Sequence, residues 1–103
     1  MSSDRPGFRH VVLFRWTPDS TAEQRDAAIT ALRELGREVS DLGRLTVGGD
    51  AGVVEGNFDA AVVVDFASRE DYLLYATHPT HQRVIAESLR PILAERAAVQ
   101  HEL

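Results

Sequence analysis

The apolar residues of the chain fall into short β-like runs separated by longer helical patterns. The first run, HVVLFRW at 10–16, is β-branched and aromatic and is soon followed by a proline, which predicts a strand. Runs at 44–48 (RLTVG), 58–66 (FDAAVVVDF) and 96–102 (RAAVQHE) predict three more strands. The first and third runs are apolar on both faces, so both faces of the sheet should be covered.

Between the first two strands, apolar residues recur every three or four positions and predict an amphipathic helix. Ser20 and Thr21 are candidate N-caps, each with Glu or Gln three places later. The helix should run for about five turns and end between Ser40 and Gly43.

The second helical region is interrupted by proline. Ser68 should cap its first helix, and Pro79 should end that helix near His78 and begin a new one. Pro91 should kink or end the new helix.

The predicted order βαββαβ is that of a ferredoxin-like α+β fold, a four-stranded antiparallel sheet with helices on one face. The second sheet face is also apolar and would be a large exposed patch in a monomer. We therefore expect a homodimer through the sheet face, forming a dimeric α/β barrel. A single domain should cover residues 1–103, with 1–7 as a flexible N-terminus.

Composition narrows the classes of partner and location. The 103 residues carry a net charge of −5 at pH 7, and the 11 basic residues, all arginine, are scattered, which argues against nucleic-acid binding. The chain has no Cys, hence no thiol nucleophile, and this fits a cytoplasmic location. We expect no membrane partner, because no apolar run is long enough to span a bilayer.

The segment YATHPTHQRV at 75–84 is the candidate site. His81 falls on the apolar stripe of its helix, where a histidine is either a satisfied core residue or a pocket base. Tyr75 can face the same space and donate a hydrogen bond to a carbonyl or enolate oxygen. His78 should cap the helix junction. A metal pair of His78 and His81 is disfavoured because Pro79 breaks the geometry between them.

The pocket predicted around His81 is mostly apolar or aromatic, so its ligand should be an apolar or aromatic small molecule with a few oxygens. Its expected residues, besides Tyr75 and His81, come from the first and third strands and from the last helix: His10, Val12, Phe14, Ala60, Val62, Val64, Val84 and Ile85.

The chain from Phe8 to His101 resembles the stress-responsive dimeric α/β-barrel (Dabb) family. The resemblance lies in HVVLFRW, FDAAVVVDF and, most specifically, the Tyr-x-x-His-Pro-x-His string that ends at His81. Within that family it is similar to polyketide cyclases of the olivetolic acid cyclase type. Those enzymes catalyse an intramolecular aldol condensation with no metal or organic cofactor.

This resemblance implies roles for individual residues. His81 matches the cyclase base, Tyr75 matches the tyrosine that orients it, and His10 matches a pocket histidine. Ala60 stands where those cyclases have another histidine, so one polar pocket wall is missing and the substrate should differ.

Three functions remain open at this point. The first is a cofactor-free cyclase or lyase, with His81 as base and Tyr75 as its partner. The second is a non-catalytic stress-responsive or structural barrel protein, in which the histidines only satisfy packing. The third is a cofactor-independent oxygenase in which Trp16 participates. Fold alone does not separate them.

Overall fold

The computed structural model describes residues 7–103 and contains one four-stranded antiparallel sheet covered by helices on one face. The strands are β1 (Phe8–Trp16), β2 (Gly43–Gly49), β3 (Ala60–Phe66) and β4 (Leu93–Glu102), and the helices are α1 (Ala22–Glu38), α2 (Arg69–Ala76) and α3 (Pro79–Val84). Across the sheet the order is β2-β3-β1-β4. The predicted ferredoxin-like βαββαβ arrangement is confirmed. The flexible N-terminus predicted at 1–7 lies, apart from residue 7, outside the described residues.

The core lies between the sheet and the helices. Alternate residues of β1 and β3 are buried, and α1 contributes the apolar stripe predicted from its periodicity. The residues of the core that are most deeply buried are Ala28, Leu32, Leu35, Val39, Val64 and Leu89. Burial of a Leu or Val side chain contributes about 1.5–3 kcal/mol, so this layer supplies most of the stabilisation.

Two strands differ at their ends from the sequence prediction. Phe58 lies before β3, and its ring is under the guanidinium of Arg15, 4.2 Å from ring centroid to Cζ. β4 starts at Leu93, three residues before the predicted start. Near this start a β-bulge shifts the register of β4 against β1. After Arg15 has paired with Glu95, Trp16 pairs with Leu93. Such a bulge re-aims the side chains beyond it.

The junction between α2 and α3 is built by side-chain caps. The Ser68 hydroxyl accepts the Asp71 N–H at 3.2 Å and begins α2, which ends at Ala76. His78 is extended, and its Nδ1 accepts the N–H of Thr80 at 3.1 Å, with Pro79 in the first turn of α3. The predicted capping role of His78 is therefore present in the structure.

Helix α3 does not continue as an α-helix. After Val84 the chain forms a π-helical turn at Ile85–Leu89 and a 3-10 turn at Arg90–Ile92, which contains Pro91. The Thr80 hydroxyl donates to the Glu38 carboxylate and ties the start of α3 to the end of α1. Single π turns recur at functional sites, and this one borders the cavity described below.

Within residues 7–103, no helix has the length and apolar character needed to cross a membrane.

The N-terminus of α1 gives a test of the fold's energetics. The Thr21 side chain accepts the Gln24 N–H at 3.1 Å, and the Gln24 side chain accepts the Thr21 N–H at 2.8 Å. Thr21→Ala should lower the free energy of unfolding by about 1 kcal/mol, since it leaves a helix N–H without its partner. Urea unfolding measures this loss, and Thr21→Ser should restore most of it. Equal stability of the Ala and Ser variants would contradict the capping role.

Candidate functional site

A cavity of about 380 Å³ lies between the helix side of the sheet and the helices. Strands β1, β3 and β4, helices α1 to α3 and the turns after α3 all contribute to its wall. The lining residues are His10, Val12, Phe14, Leu32, Val62, Tyr72, Tyr75, Ala76, His81, Ile85, Arg90, Leu93 and Arg96. The wall is apolar and aromatic apart from two histidines, the two tyrosine hydroxyls and two arginines.

His81 is held in one tautomer. Its Nδ1 lies 3.1 Å from the carbonyl oxygen of Ala76, the last residue of α2. Because a carbonyl oxygen only accepts, Nδ1 carries the proton and Nε2 keeps a free lone pair. Burial lowers the pKa of His81, an effect partly opposed by the bond to Ala76 and reinforced by His78 and Arg96. The ring is thus neutral at neutral pH, with Nε2 available as a base.

Tyr75 lies directly beside this histidine. The two ring centroids are 4.4 Å apart, and the rings are inclined by 51°. Within residues 7–103 the Tyr75 hydroxyl has no hydrogen-bond partner, yet no fully buried side-chain nitrogen or oxygen there lacks one, so the hydroxyl opens onto the cavity. Burial, with a contribution from Tyr72, raises the pKa of Tyr75 well above its usual value. The group therefore acts as a hydrogen-bond donor.

His10 has the opposite tautomer from His81. The side-chain amide nitrogen of Gln100 on β4 donates to Nδ1 of His10 at 2.8 Å. Nδ1 is thus an acceptor, and the proton of the neutral ring is on Nε2. Burial, and then the charges of Arg96 and His81, lower the pKa of His10 to about 4. The ring is a neutral N–H donor whose centroid lies 5.0 Å from that of Tyr72.

The structure brings together most of the residues selected from the sequence. His10, Val12, Phe14, Val62, Tyr75, His81 and Ile85 line the cavity. Three others do not. Ala60 lies at the β2 end of the sheet, in a shallow depression with Gly48 and Asn57. Val84 faces α1 beside Thr80, and Val64 is fully buried in the core.

Six lining residues were not selected from the sequence. Leu32 is on the apolar stripe of α1, and Tyr72 and Ala76 share a helix face with Tyr75, so periodicity alone could have identified these three. Arg90, Leu93 and Arg96 carried no such signal. Arg90 lies in the irregular turns after α3, Leu93 lies beyond the β4 bulge, and the face of Arg96 depends on how β4 pairs with β1.

Residues 8–102 match the stress-responsive A/B barrel domain, Dabb. The chain belongs to the Dabb family. A dimeric ferredoxin-like protein of unknown function from Thermobifida fusca is 38% identical, with a TM-score of 0.87 over 97% of this chain and 93% of that one. No curated protein sequence matches the chain.

More distant structures share the fold of this Dabb protein. A Dabb family protein from Mesorhizobium loti is 13% identical, with a TM-score of 0.76 over 93% of this chain and 95% of that one. A hydroxynitrile lyase from Passiflora edulis is 19% identical, with a TM-score of 0.81 over 96% of this chain and 94% of that one. At these identities the likeness concerns the fold alone.

The part of the chain that the structure describes contains no group of three or more His, Asp or Glu side chains placed to hold a metal ion. In the cavity, His81 instead supplies a base, and Tyr75 and His10 supply hydrogen-bond donors.

The low pKa of His10 in the Dabb fold has a measurable consequence for stability. The unfolded chain takes up the proton near pH 6.5, whereas the folded chain takes it up only near pH 4. The free energy of unfolding should therefore fall as the pH drops through this window, by at most about 1.4 kcal/mol per pH unit, and be fully present above it. His81, whose pKa is also lowered, adds in the same direction.

Urea unfolding at pH 7, 6 and 5 measures this slope. His10→Gln should give a shallower slope than the wild type. Thr21→Ala is the matched control, since it lowers stability at a site far from the cavity and should leave the slope unchanged. Parallel slopes for His10→Gln and the wild type would show that burial of His10 does not shift its protonation.

Proposed function

We propose that this Dabb protein binds an apolar or aromatic small molecule and catalyses an aldol-type ring closure on it without a cofactor. The observation that carries the proposal is the bond from His81 Nδ1–H to the Ala76 carbonyl, which leaves Nε2 as a base beside the Tyr75 hydroxyl. A neutral histidine base and a protonated tyrosine are what removal of a proton next to a carbonyl requires.

In the proposed reaction His81 acts first as a base and then as an acid, and Tyr75 and His10 donate hydrogen bonds. His81 Nε2 takes a proton from a carbon flanked by carbonyls, and the electron pair moves onto a carbonyl oxygen. That enolate oxygen accepts hydrogen bonds from Tyr75 and from Nε2–H of His10. The enolate carbon then attacks a second carbonyl of the same chain, and the new alkoxide takes the proton back from His81. An apolar cavity wall that excludes water strengthens these hydrogen bonds relative to the same bonds in water.

The Passiflora structure widens the choice of test substrates. Cleavage of a hydroxynitrile breaks a carbon–carbon bond as a carbonyl forms, which is the reverse of the bond formation in an aldol step, and it also begins with a base. A linear polyketide with a free carboxylate and mandelonitrile are therefore the two substrates to assay. Both reactions fall within the lyase class proposed from the sequence.

The two competing functions receive less support. Trp16, the residue expected to matter in an oxygenase, stacks on Phe14 with centroids 5.8 Å apart and does not line the cavity. A purely structural role gives no account of the Tyr75 hydroxyl, which faces the cavity and has no hydrogen-bond partner within residues 7–103. The cytoplasmic location and the single domain over residues 1–103 stay predictions from the sequence.

His81→Ala should lower kcat/KM by about a hundredfold to ten-thousandfold, the range lost when a general base is removed. Tyr75→Phe keeps the ring and should cost about a hundredfold, since one donor to the enolate is lost. His78→Asn is the matched control, because asparagine can still accept the Thr80 N–H, and its turnover should stay near that of the wild type. The assay is product formation from the two substrates.

The pH profile separates catalysis by His81 from a structural role. The rate should level off at neutral pH and fall on the acid side with a midpoint below pH 6.5, because burial lowers the pKa of the base. If His81→Ala keeps its turnover and only melts at a lower temperature, His81 is a packing residue. If the wild type turns over neither substrate, His81 is likewise a packing residue and the non-catalytic function is preferred.

We also propose that two copies pair through the open sheet face. On that face two apolar rows cross β3, β1 and β4 in register: Val63, Val11 and Val99 in one, Ala61, Leu13 and Ala97 in the other. Ion pairs flank the rows, Arg9 with Asp65 at 2.6 Å and Arg15 with Glu95 at 3.0 Å. Val99 is 56% exposed in the single chain. The Thermobifida relative is described as dimeric, which supports this pairing.

Val63→Arg should convert the dimer into a folded monomer, because it places a charge in the middle of the apolar rows. Sedimentation equilibrium at micromolar concentration measures the mass. Leu74→Arg is the control: Leu74 on α2 is exposed, at 56%, but lies on the helix side of the sheet. A wild-type protein that sediments as a monomer, or a Val63→Arg variant that stays dimeric, would contradict the interface.

A further inference from the structure

The charge distribution around the cavity is opposite to that of the chain as a whole. The chain carries 16 acidic residues against 11 basic ones. None of the acidic residues within 7–103 lines the cavity, whereas Arg90 and Arg96 both do. A protein with an excess of acid thus encloses its apolar cavity with positive charge alone.

These two guanidinium groups are not used by the protein itself. The ion pairs formed within residues 7–103 involve Arg9, Arg15 and Arg69, and neither cavity arginine takes part in them. Neither donates a side-chain hydrogen bond within that part of the chain. The pair is therefore available to a ligand, and no acidic lining residue competes for it.

Arg96 reaches the cavity through the regular pairing of β4 with β1. It pairs with Phe14, whose ring is on the helix side of the sheet, so Arg96 faces that side too. Leu93, three residues away, would face the opposite side in a regular strand. The bulge between these residues brings both of them to the cavity, while Glu95 faces the other way and pairs with Arg15.

Arg96 also lies close enough to act on both histidines. Its charge is among the causes that lower the pKa of His10 and of His81. Arg96 lines the same cavity as both histidines and, like Arg90, is exposed to solvent, so the pair lies where the cavity meets water. An anionic group bound there would leave the adjoining part of the ligand next to His81 and Tyr75.

We propose that Arg96, assisted by Arg90, binds a carboxylate of the ligand, so that the substrates of this cavity are apolar or aromatic carboxylic acids. Guanidinium pairs with carboxylate through two parallel hydrogen bonds, which fixes orientation as well as adding affinity. The proposal rests on the proposed function for the identity of the cavity as a substrate site. It adds the charged end of the substrate and assigns its contacts.

The probes are salicylate and salicylamide, which have the same shape but differ in charge. Binding is followed by NMR titration of the cavity residues, including the His10 and His81 rings. The wild type should bind salicylate about tenfold more tightly than salicylamide, equivalent to about 1.4 kcal/mol. The ratio of the two affinities should shrink as the salt concentration is raised, since Arg90 and Arg96 are exposed to solvent.

Arg96→Gln should reduce this ratio to less than about threefold while salicylamide binding stays unchanged. Arg96→Lys should keep part of it, because it preserves charge but not the two-bond geometry. Arg69→Gln is the matched control: Arg69 pairs with Glu102 outside the cavity, and its loss should leave the ratio intact.

Three results would overturn the proposal: equal binding of the two probes by the wild type, an unchanged ratio in Arg96→Gln, or no saturable binding of salicylate at the cavity residues. The readout is binding, so it is independent of turnover. A protein that prefers salicylate but turns over neither test substrate would refute the catalysis and keep the carboxylate site.

Discussion

The hydrogen bond from His81 to the carbonyl of Ala76 links the two short helices that cover the cavity. Helix α2 ends at Ala76, and an unpaired carbonyl at a helix end needs a partner when water is excluded. The imidazole of His81 supplies that partner at 3.1 Å. One bond therefore satisfies the end of α2, orients α3 and leaves a nitrogen free toward the cavity. This bond thereby fixes the position of His81 relative to Tyr75.

The two buried histidines show how one residue type can take two chemical roles. His81 donates through Nδ1 to a carbonyl, whereas His10 accepts through Nδ1 from an amide. Each is kept neutral mainly by burial, with the nearby positive charge of Arg96 contributing. The result is a lone pair at one side of the cavity and an N–H at the other. This division needs no metal ion, because the protein's own dipoles set each tautomer.

The sequence predicted the fold and several side chains of the cavity, and it missed directions that depend on strand pairing or on irregular backbone. The periodic spacing of apolar residues, two for strands and three to four for helices, was enough to predict these elements. Pro79 marked the break between α2 and α3. The string from Tyr75 to His81 and the strand parity of His10 identified three cavity side chains. Arg96 was missed because its face depends on how β4 pairs with β1, which the pattern of β4 alone does not specify. Val84 was misplaced although it belongs to the regular part of α3, because it faces α1 and not the cavity.

The π-helical turn at Ile85–Leu89 has a consequence for how this protein can tolerate changes in length. A π turn holds one residue more than the α-helical turn it replaces, so it is equivalent to a one-residue insertion within a helix. Removing one residue there would let α3 run on regularly into Pro91, and the residues after the deletion would keep their faces, because the π turn already accommodates the extra residue. Arg90 would stay at the cavity, as would His81, which precedes the turn. Loss of a single residue at this point is thus a change in length that the cavity wall can accept.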